Sequence, residues 1–513
     1  MPIDLVGERT LNDLLEDRVR AHGQRPFLVF EDADGAVSEW TYDGFASRTG
    51  ALAAGLASLG VGREDKVVCL LPNSPTFVFL WFALARLGAV FVPANTASTA
   101  PEIDYIVEHS EAMSIVADAE LAETAEDIGN GDLLRLTAHG VREGWRRLDD
   151  CLRTDVPPPQ PSARPMDLAE LLFTSGTTAR PKAVMLTHAN CLHSGERAAR
   201  SLMLQPGERC LTALPLFHVN AQSFTLLAAL TTGGTAIVLE SFQARRYWSC
   251  VRSHEATQTS LVAMQLRTLL ARPTEPTDAD HSLRRVLYAI NVTDEEKAAF
   301  ESRFNVELCN GYGLTEAMTM VSVAPVVGPK RWPSIGLPAS GRAVRLVDEE
   351  GHEVPTGTVG EIQVDGVPGR TVMLGYYRDP DATAAVLRDG WLSTGDTGYV
   401  DELGYLYFFD RRKDIIKRAG ENVSAGEVER VLLEHSAVVE AAVVGVPDPL
   451  RDEAVKAYVV ADGPLEEAQI VEHCRSRLAS FKVPTLVEFR DALPKTSVGK
   501  IEKAVLRQES SRG

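Results

Sequence analysis

The sequence predicts an α/β protein, with a large multilayer N-terminal domain of parallel-type sheets and helices and a small α+β domain at the C-terminus. Three observations carry this. At 513 residues the chain exceeds what one ordinary core organises. Helical patterns alternate with short continuous apolar runs, the pattern of strands buried on both faces. The last hundred or so residues hold their own strand-like runs and a helix.

In chain order, Leu11, Leu14, Leu15 and Val19 share one helical face, and Phe27-Leu28-Val29-Phe30 before Asp34-Gly35 reads as a strand entering a turn. A helix rich in Ala and Leu runs from Tyr42 to Leu59 and stops at Gly60. Val67 to Leu71 is a strand buried on both faces, and Val90 to Pro93 and Met113 to Ala117 continue the alternation. The most membrane-like stretch, Phe77 to Val92, carries Arg86 and falls short of the roughly 20 apolar residues of a span, which makes it a buried helix. Arg153 to Pro165, RTDVPPPQPSARP, is an extended, semi-rigid connector.

Leu171 to Asn190, LLFTSGTTARPKAVMLTHAN, is the centre of the chain. It reads as strand, loop, strand, with Thr174, Ser175, Gly176, Thr177 and Thr178 in the loop and Lys182 at its exit. Small hydroxyl residues and a glycine let backbone N–H and side-chain O–H groups converge on a polyanion, and the lysine adds a point charge. The plain alternative is a Ser/Thr/Gly surface loop. A Walker A loop is excluded, since the second glycine and the GK[ST] ending are missing.

Leu211 to Gln222, LTALPLFHVNAQ, reads as a strand ending on Phe217-His218, with polar Asn220 and Gln222 following at period two; by residues alone His218 is better read as a packed core histidine. Leu287 to Asp294, LYAINVTD, contains no glycine. In NGYGLTEA, Asn310 to Ala317, Tyr312 offers a flat face for a purine, Thr315 a hydroxyl and Glu316 a carboxylate suited to Mg2+. Glu361 precedes GWLSTGDTGYV, where Asp396 sits in a Gly-rich turn. A basic run, FFDRRKDIIKRAGENVSAGEVE, spans Phe408 to Glu429. Beyond it, Val438 to Val446 and Val455 to Val460 are strands, Leu465 to Ala479 a helix, and Lys500 follows Gly499 in an exposed loop.

The net charge of -19 speaks against a nucleic-acid surface. Seven scattered cysteines, none spaced as CxxC, point to reduced thiols and not to a disulfide frame or zinc site. The N-terminus lacks an apolar h-region. A cytoplasmic protein without a membrane span is expected, and a homodimer is the commonest closed assembly for such a chain.

TSGTT, YGLTE, STGD, DRRKDIIK and VGK occur in this order, and through them essentially the whole chain resembles the adenylate-forming superfamily of acyl-CoA synthetases, adenylation domains and firefly luciferase. The usual phosphate loop there is TSGTTGxPKG. Ala179 and Ala183 stand where glycine is usual, so both should hold φ below zero, a positive φ costing an L-residue roughly 1–2 kcal/mol. RWPSIG, KRAGENVS, PLRDEAVKAYVV and FKVP look most like the bacterial crotonobetaine/carnitine-CoA ligase branch.

The resemblance implies ATP and Mg2+ as cofactors and CoA as co-substrate. It places Thr174 to Thr178 and Lys182 on the phosphates, Tyr312, Gly313 and Thr315 on the nucleotide, and Glu316 on the metal. Asp396 and Arg411 fall on the ribose, and His218, Asn220 and Gln222 border a partly polar acid pocket. Lys413 is the implied hinge, with domains at 1–411 and 412–513. Lys417 and Gly420 face the site in the thioester-forming arrangement, and Lys500 stabilises charge passing between carboxylate and α-phosphate. The implied catalytic set is Lys500, Glu316, Thr174, His218 and Lys417. The implied reaction joins a small-molecule acid to CoA through an adenylate. Two other enzymatic readings share this apparatus: a diazotase activating nitrite for an aryl amine, and loading of a carrier protein. A catalytically silent nucleotide-binding scaffold is the reading of a different class.

Overall fold

The computed structural model describes residues 4, 6–126, 128, 132–174, 181–289, 292–411, 414–418, 421–448, 452–478, 480–496 and 500–510, with the backbone alone at 410, 411, 415, 417, 421, 422 and 452. By contacts the chain divides into two compact units, Met1–Val344 with Val364–Leu392, and Arg345–Gln363 with Ser393–Gly513.

The first unit holds two large sheets. One has nine strands in the order Leu337–Pro338, Thr319–Val323, Glu307–Leu314, Arg285–Ala289, Gln258–Val262, Arg209–Thr212, Thr235–Leu239, Pro26–Glu31, Val37–Thr41. It is parallel from Glu307–Leu314 through Pro26–Glu31 and antiparallel beyond each end of that run. The other has eight strands in the order Gly375–Tyr376, Lys182–Thr187, Leu168–Thr174, Val90–Pro93, Lys66–Leu70, Ser114–Asp118, Leu134–Ala138, Arg146–Arg147. It too is parallel, until Lys182–Thr187 turns antiparallel against Leu168–Thr174. The expected α/β layering is therefore present.

The apolar stretch at Phe77 is helical only over Pro75–Leu87. Ser74 caps it by accepting from the Phe77 N–H at 3.3 Å, and Gly88, at φ 68°, ends it before the strand Val90–Pro93. Trp81 and Phe82 on this helix are buried in the core. Among the described residues no helix is long and apolar enough to cross a membrane. All seven cysteines are buried and none forms a disulfide; burial raises every one of the seven thiols, Cys309 and Cys474 to about 11.

In the second unit, Trp391–Val400 pairs antiparallel with Leu406–Arg411. A C-terminal sheet runs Glu421–Ser424, Ile415–Arg418, Asp452–Ala461, Val438–Asp448, with Leu486–Phe489 parallel on Asp452–Ala461. Helices Ala425–Leu433 and Glu467–Arg475 pack on it through Val428, Val431, Leu432, Ile470 and Cys474. The small α+β fold matches expectation. Arg412 and Lys413 lie outside the described residues.

Candidate active site

The strands expected on either side of the phosphate-loop residues are present. Leu168–Thr174 and Lys182–Thr187 pair antiparallel, with Thr174 opposite Lys182 and Phe173 opposite Ala183. Ala183 is buried within the second strand in extended backbone, so the Cβ it carries in place of glycine's hydrogen meets no conformational penalty. Ser175, Gly176, Thr177, Thr178 and Ala179 lie outside the described residues. At the loop's exit the Tyr105 hydroxyl donates to the Pro181 carbonyl at 3.0 Å.

Tyr312, Gly313 and Glu316 occupy the corresponding place in the other sheet. Tyr312 and Gly313 are in the strand Glu307–Leu314, and Thr315–Ala317 form a single 3-10 turn. The chain then turns back through Met318 and Thr319, both at positive φ, 48° and 76°. For β-branched Thr319 that backbone is an outlier, of order 1–3 kcal/mol in strain, which surrounding contacts must hold in place. Three contacts do so. A Cβ on Gly313 would stand 1.6 Å from the Thr319 carbonyl oxygen, so only glycine admits this approach. The Thr319 hydroxyl bonds Ser223 Oγ at 2.6 Å, which in turn accepts from Ser194 Oγ at 2.7 Å. Buried Arg342 donates to the carbonyls of Ala317, Met320 and Asp365.

The structure brings Lys182 and Glu316 together through a residue the sequence did not single out. The Tyr376 hydroxyl donates to Glu316 Oε1 at 2.9 Å, and the Lys182 ammonium lies 4.7 Å from the centre of the same ring. Burial first, then the neighbouring Glu316 carboxylate, raises the Tyr376 phenol, keeping it a neutral donor.

The region of His218 corrects the strand expectation. The strand stops at Thr212, and Asn220 and Gln222 are helical: Val219–Ala221 is one α-turn and Gln222–Leu227 a π-helix. A period of two therefore does not set which way they face. Gln222 is fully buried, and its Nε2 donates to Glu170 Oε1 at 2.7 Å and to the Leu216 carbonyl at 3.0 Å. His218 precedes this helix, half-buried, with its ring 4.5 Å from that of Phe217. Asn73 aims the segment: its amide donates to the carbonyls of Leu214 and Leu239 and accepts from the Leu216 N–H at 2.8 Å. Burial raises the Glu170 carboxyl to about 8.

In the second unit, Asp396 is on the strand Trp391–Val400 and not in a turn, although Gly395 before it does hold φ 72°. Its register partner across the antiparallel pair is Arg411, so the two implied ribose residues are neighbours. Glu361 accepts from the Gly395 N–H at 3.1 Å and fixes the backbone there. Lys500 is exposed, and its carbonyl accepts from the Thr496 N–H at 2.7 Å. Lys413, Gly420 and the side chains of Arg411 and Lys417 lie outside the described residues.

Among the described residues no group of three or more His, Cys, Asp or Glu could hold a metal ion. Glu316 offers a single carboxylate, which fits Mg2+ shared with a triphosphate, since that ion characteristically takes one or two carboxylates plus phosphate oxygens.

Residues 15–377 match the family model of the AMP-binding enzyme, and residues 427–500 that of the AMP-binding enzyme C-terminal domain. The chain belongs to the AMP-binding enzyme family. It is 36% identical to a crotonobetaine/carnitine–CoA ligase of Salmonella paratyphi A, covering 98% of this chain and 100% of the relative. An anthranilate CoA ligase in complex with anthranoyl-AMP superposes with TM-score 0.88 at 26% identity, covering 99% of this chain and 98% of the other. The o-succinylbenzoate CoA synthetase of Bacillus subtilis, in complex with ATP and magnesium, superposes with TM-score 0.84 at 26% identity over 98% of this chain and 100% of the other. The expected adenylate-forming enzyme of acyl-CoA ligase type is borne out.

Proposed function

We propose that the protein is an AMP-forming ligase that joins a small or polar carboxylic acid to CoA in the cytoplasm. The observation that carries this reading is the convergence of Lys182 and Glu316 on Tyr376 in an AMP-binding enzyme similar to CoA ligases along its whole length.

In the first step an acid oxygen attacks the α-phosphorus of ATP and pyrophosphate leaves. Thr174 to Thr178 and Lys182 hold the phosphates, Tyr312, Gly313 and Thr315 the base, and Asp396 and Arg411 the ribose. Glu316 would hold Mg2+, which when bound supplies positive charge to the triphosphate. Lys500 stabilises the charge developing between carboxylate and phosphate. In the second step the CoA sulfur attacks the acyl carbon and AMP leaves, with residues 412–513 turning about Lys413 so that Lys417 and Gly420 replace Lys500. The protein's part is alignment and charge stabilisation.

The acid pocket is bordered by His218 and Asn220, with Gln222 and Glu170 in the layer behind. A polar wall disfavours a long fatty chain. Two-fold self-association is the assembly we expect.

Pyrophosphate release with Mg-ATP tests this, comparing short and aromatic acids plus CoA with acids plus a carrier protein and with nitrite plus an aryl amine. Release that needs an acid and gives a CoA thioester is the expected result. Release driven by nitrite without an acid overturns it in favour of a diazotase, thioester formed on the carrier alone moves the acceptor, and no release in any arm leaves a nucleotide-binding scaffold.

A further inference from the structure

We infer that Tyr376 is a positioning residue that sets the Mg2+-holding carboxylate and the phosphate-loop lysine against each other, a role that rests on the assignments of Glu316 and Lys182 above. The three side chains come from segments far apart in sequence, and Tyr376 touches both partners with different parts of one ring. Its hydroxyl bonds Glu316 Oε1 at 2.9 Å, and its π face lies 4.7 Å from the Lys182 ammonium.

The backbone around Tyr376 is built as a splint. On one side, Gly375–Tyr376 pairs with Val184 and Met185 of the strand that leaves the phosphate loop, and the Leu374 and Tyr377 N–H groups donate to the carbonyls of Met185 and Ala183 at 2.9 and 2.8 Å. On the other, the Met373 N–H donates to the Glu316 carbonyl at 2.8 Å. Within a few residues the segment is bonded to both functional elements. The Tyr376 N–H donates to the Thr383 hydroxyl oxygen at 2.8 Å. Gly375 leaves room for this, because a Cβ there would fall 2.8 Å from Thr383 Cγ2.

The chemistry follows from the two contacts. A carboxylate held at one oxygen by a phenol hydroxyl keeps its orientation toward a cation. A lysine resting on a ring face keeps its full charge and its three donors for phosphate, where pairing with Glu316 itself would quench both groups. The ring thus contacts both charged groups, the carboxylate through its hydroxyl and the ammonium through its face.

The test is equilibrium binding of ATP by calorimetry, with and without Mg2+, in the full-length protein, with pyrophosphate release measured alongside. Tyr376→Phe keeps the ring and loses the hydroxyl. It should raise the Mg2+ concentration needed for tight ATP binding about tenfold, the loss of one hydrogen bond to a charged group, and leave Mg2+-free ATP binding unchanged. Tyr376→Leu should weaken Mg2+-free ATP binding several-fold as well. If the Phe variant weakens both forms of ATP equally, or neither, Tyr376 is a packing residue and the inference falls. Lys182→Ala and Glu316→Gln separate this failure from a deeper one: if they leave ATP and Mg2+ binding intact, the nucleotide reading itself is wrong. Thermal melting of each variant identifies one that does not fold, and the Phe variant, which changes one atom, carries the decision.

Discussion

The two large sheets solve the same problem in different materials. In each, a parallel run gives way to antiparallel pairing, and the implied nucleotide residues sit at one such junction: Thr174 and Lys182 in one, Tyr312 to Glu316 in the other. The first junction accepts Ala183 where a glycine is usual. The second admits only glycine at 313 and carries positive φ at Met318 and Thr319. Adjacent residues of one π-helix anchor both, Gln222 through the titratable Glu170 and Ser223 through the hydroxyls of Ser194 and Thr319. One junction is thus tied by a bond that pH can alter and the other by bonds it cannot.

The largest effect expected is from Gly313→Ala, whose Cβ meets a backbone carbonyl that no rotamer change can move. A loss of roughly 3 kcal/mol or more in denaturant unfolding should accompany the loss of pyrophosphate release. Glu170→Gln tests the titratable tie. The Glu170 carboxyl ionises near 4.5 in the unfolded chain and at about 8 when folded, so the native state is stabilised relative to unfolded at low pH and that advantage drains as pH climbs through this window. The variant should therefore be nearly as stable as the parent at pH 5 and more stable at pH 8.5, by about 4 kcal/mol, in urea melts at the two pH values. A parent curve flat over that range would remove the distinction between the junctions. Thr319→Val keeps the shape and deletes the hydroxyl, and should cost about 1–2 kcal/mol equally at both pH values. The smallest change is Ala183→Gly, about 0.5–1 kcal/mol of destabilisation from the freer unfolded chain, with no gain in pyrophosphate release. A rise in turnover there would mean that the alanine restrains the loop.

Much of this was legible in the chain itself. The two strands flanking TSGTT follow from local patterning, which depends on neighbours a few residues away. What escaped depends on contacts remote in sequence. Tyr376 sits in an unremarkable Gly-Tyr-Tyr and acquires its role only when a short edge strand pairs beside Lys182. Asn220 and Gln222 fit an alternating pattern, yet the chain there is helical, after a segment at Leu214 to Leu216 bonded to Asn73, over a hundred residues earlier. Arg342 lies in a polar-looking stretch, and nothing local marks it as a buried guanidinium holding three carbonyls.

The burial of every cysteine has a bearing on chemistry as well as on packing. An activated acyl group is an electrophile toward any sulfur it can reach. A protein that makes one beside an accessible thiol of its own would acylate itself. Here each sulfur is sequestered and held in its protonated, unreactive form, so the acceptor that enters from solution meets no rival on the enzyme.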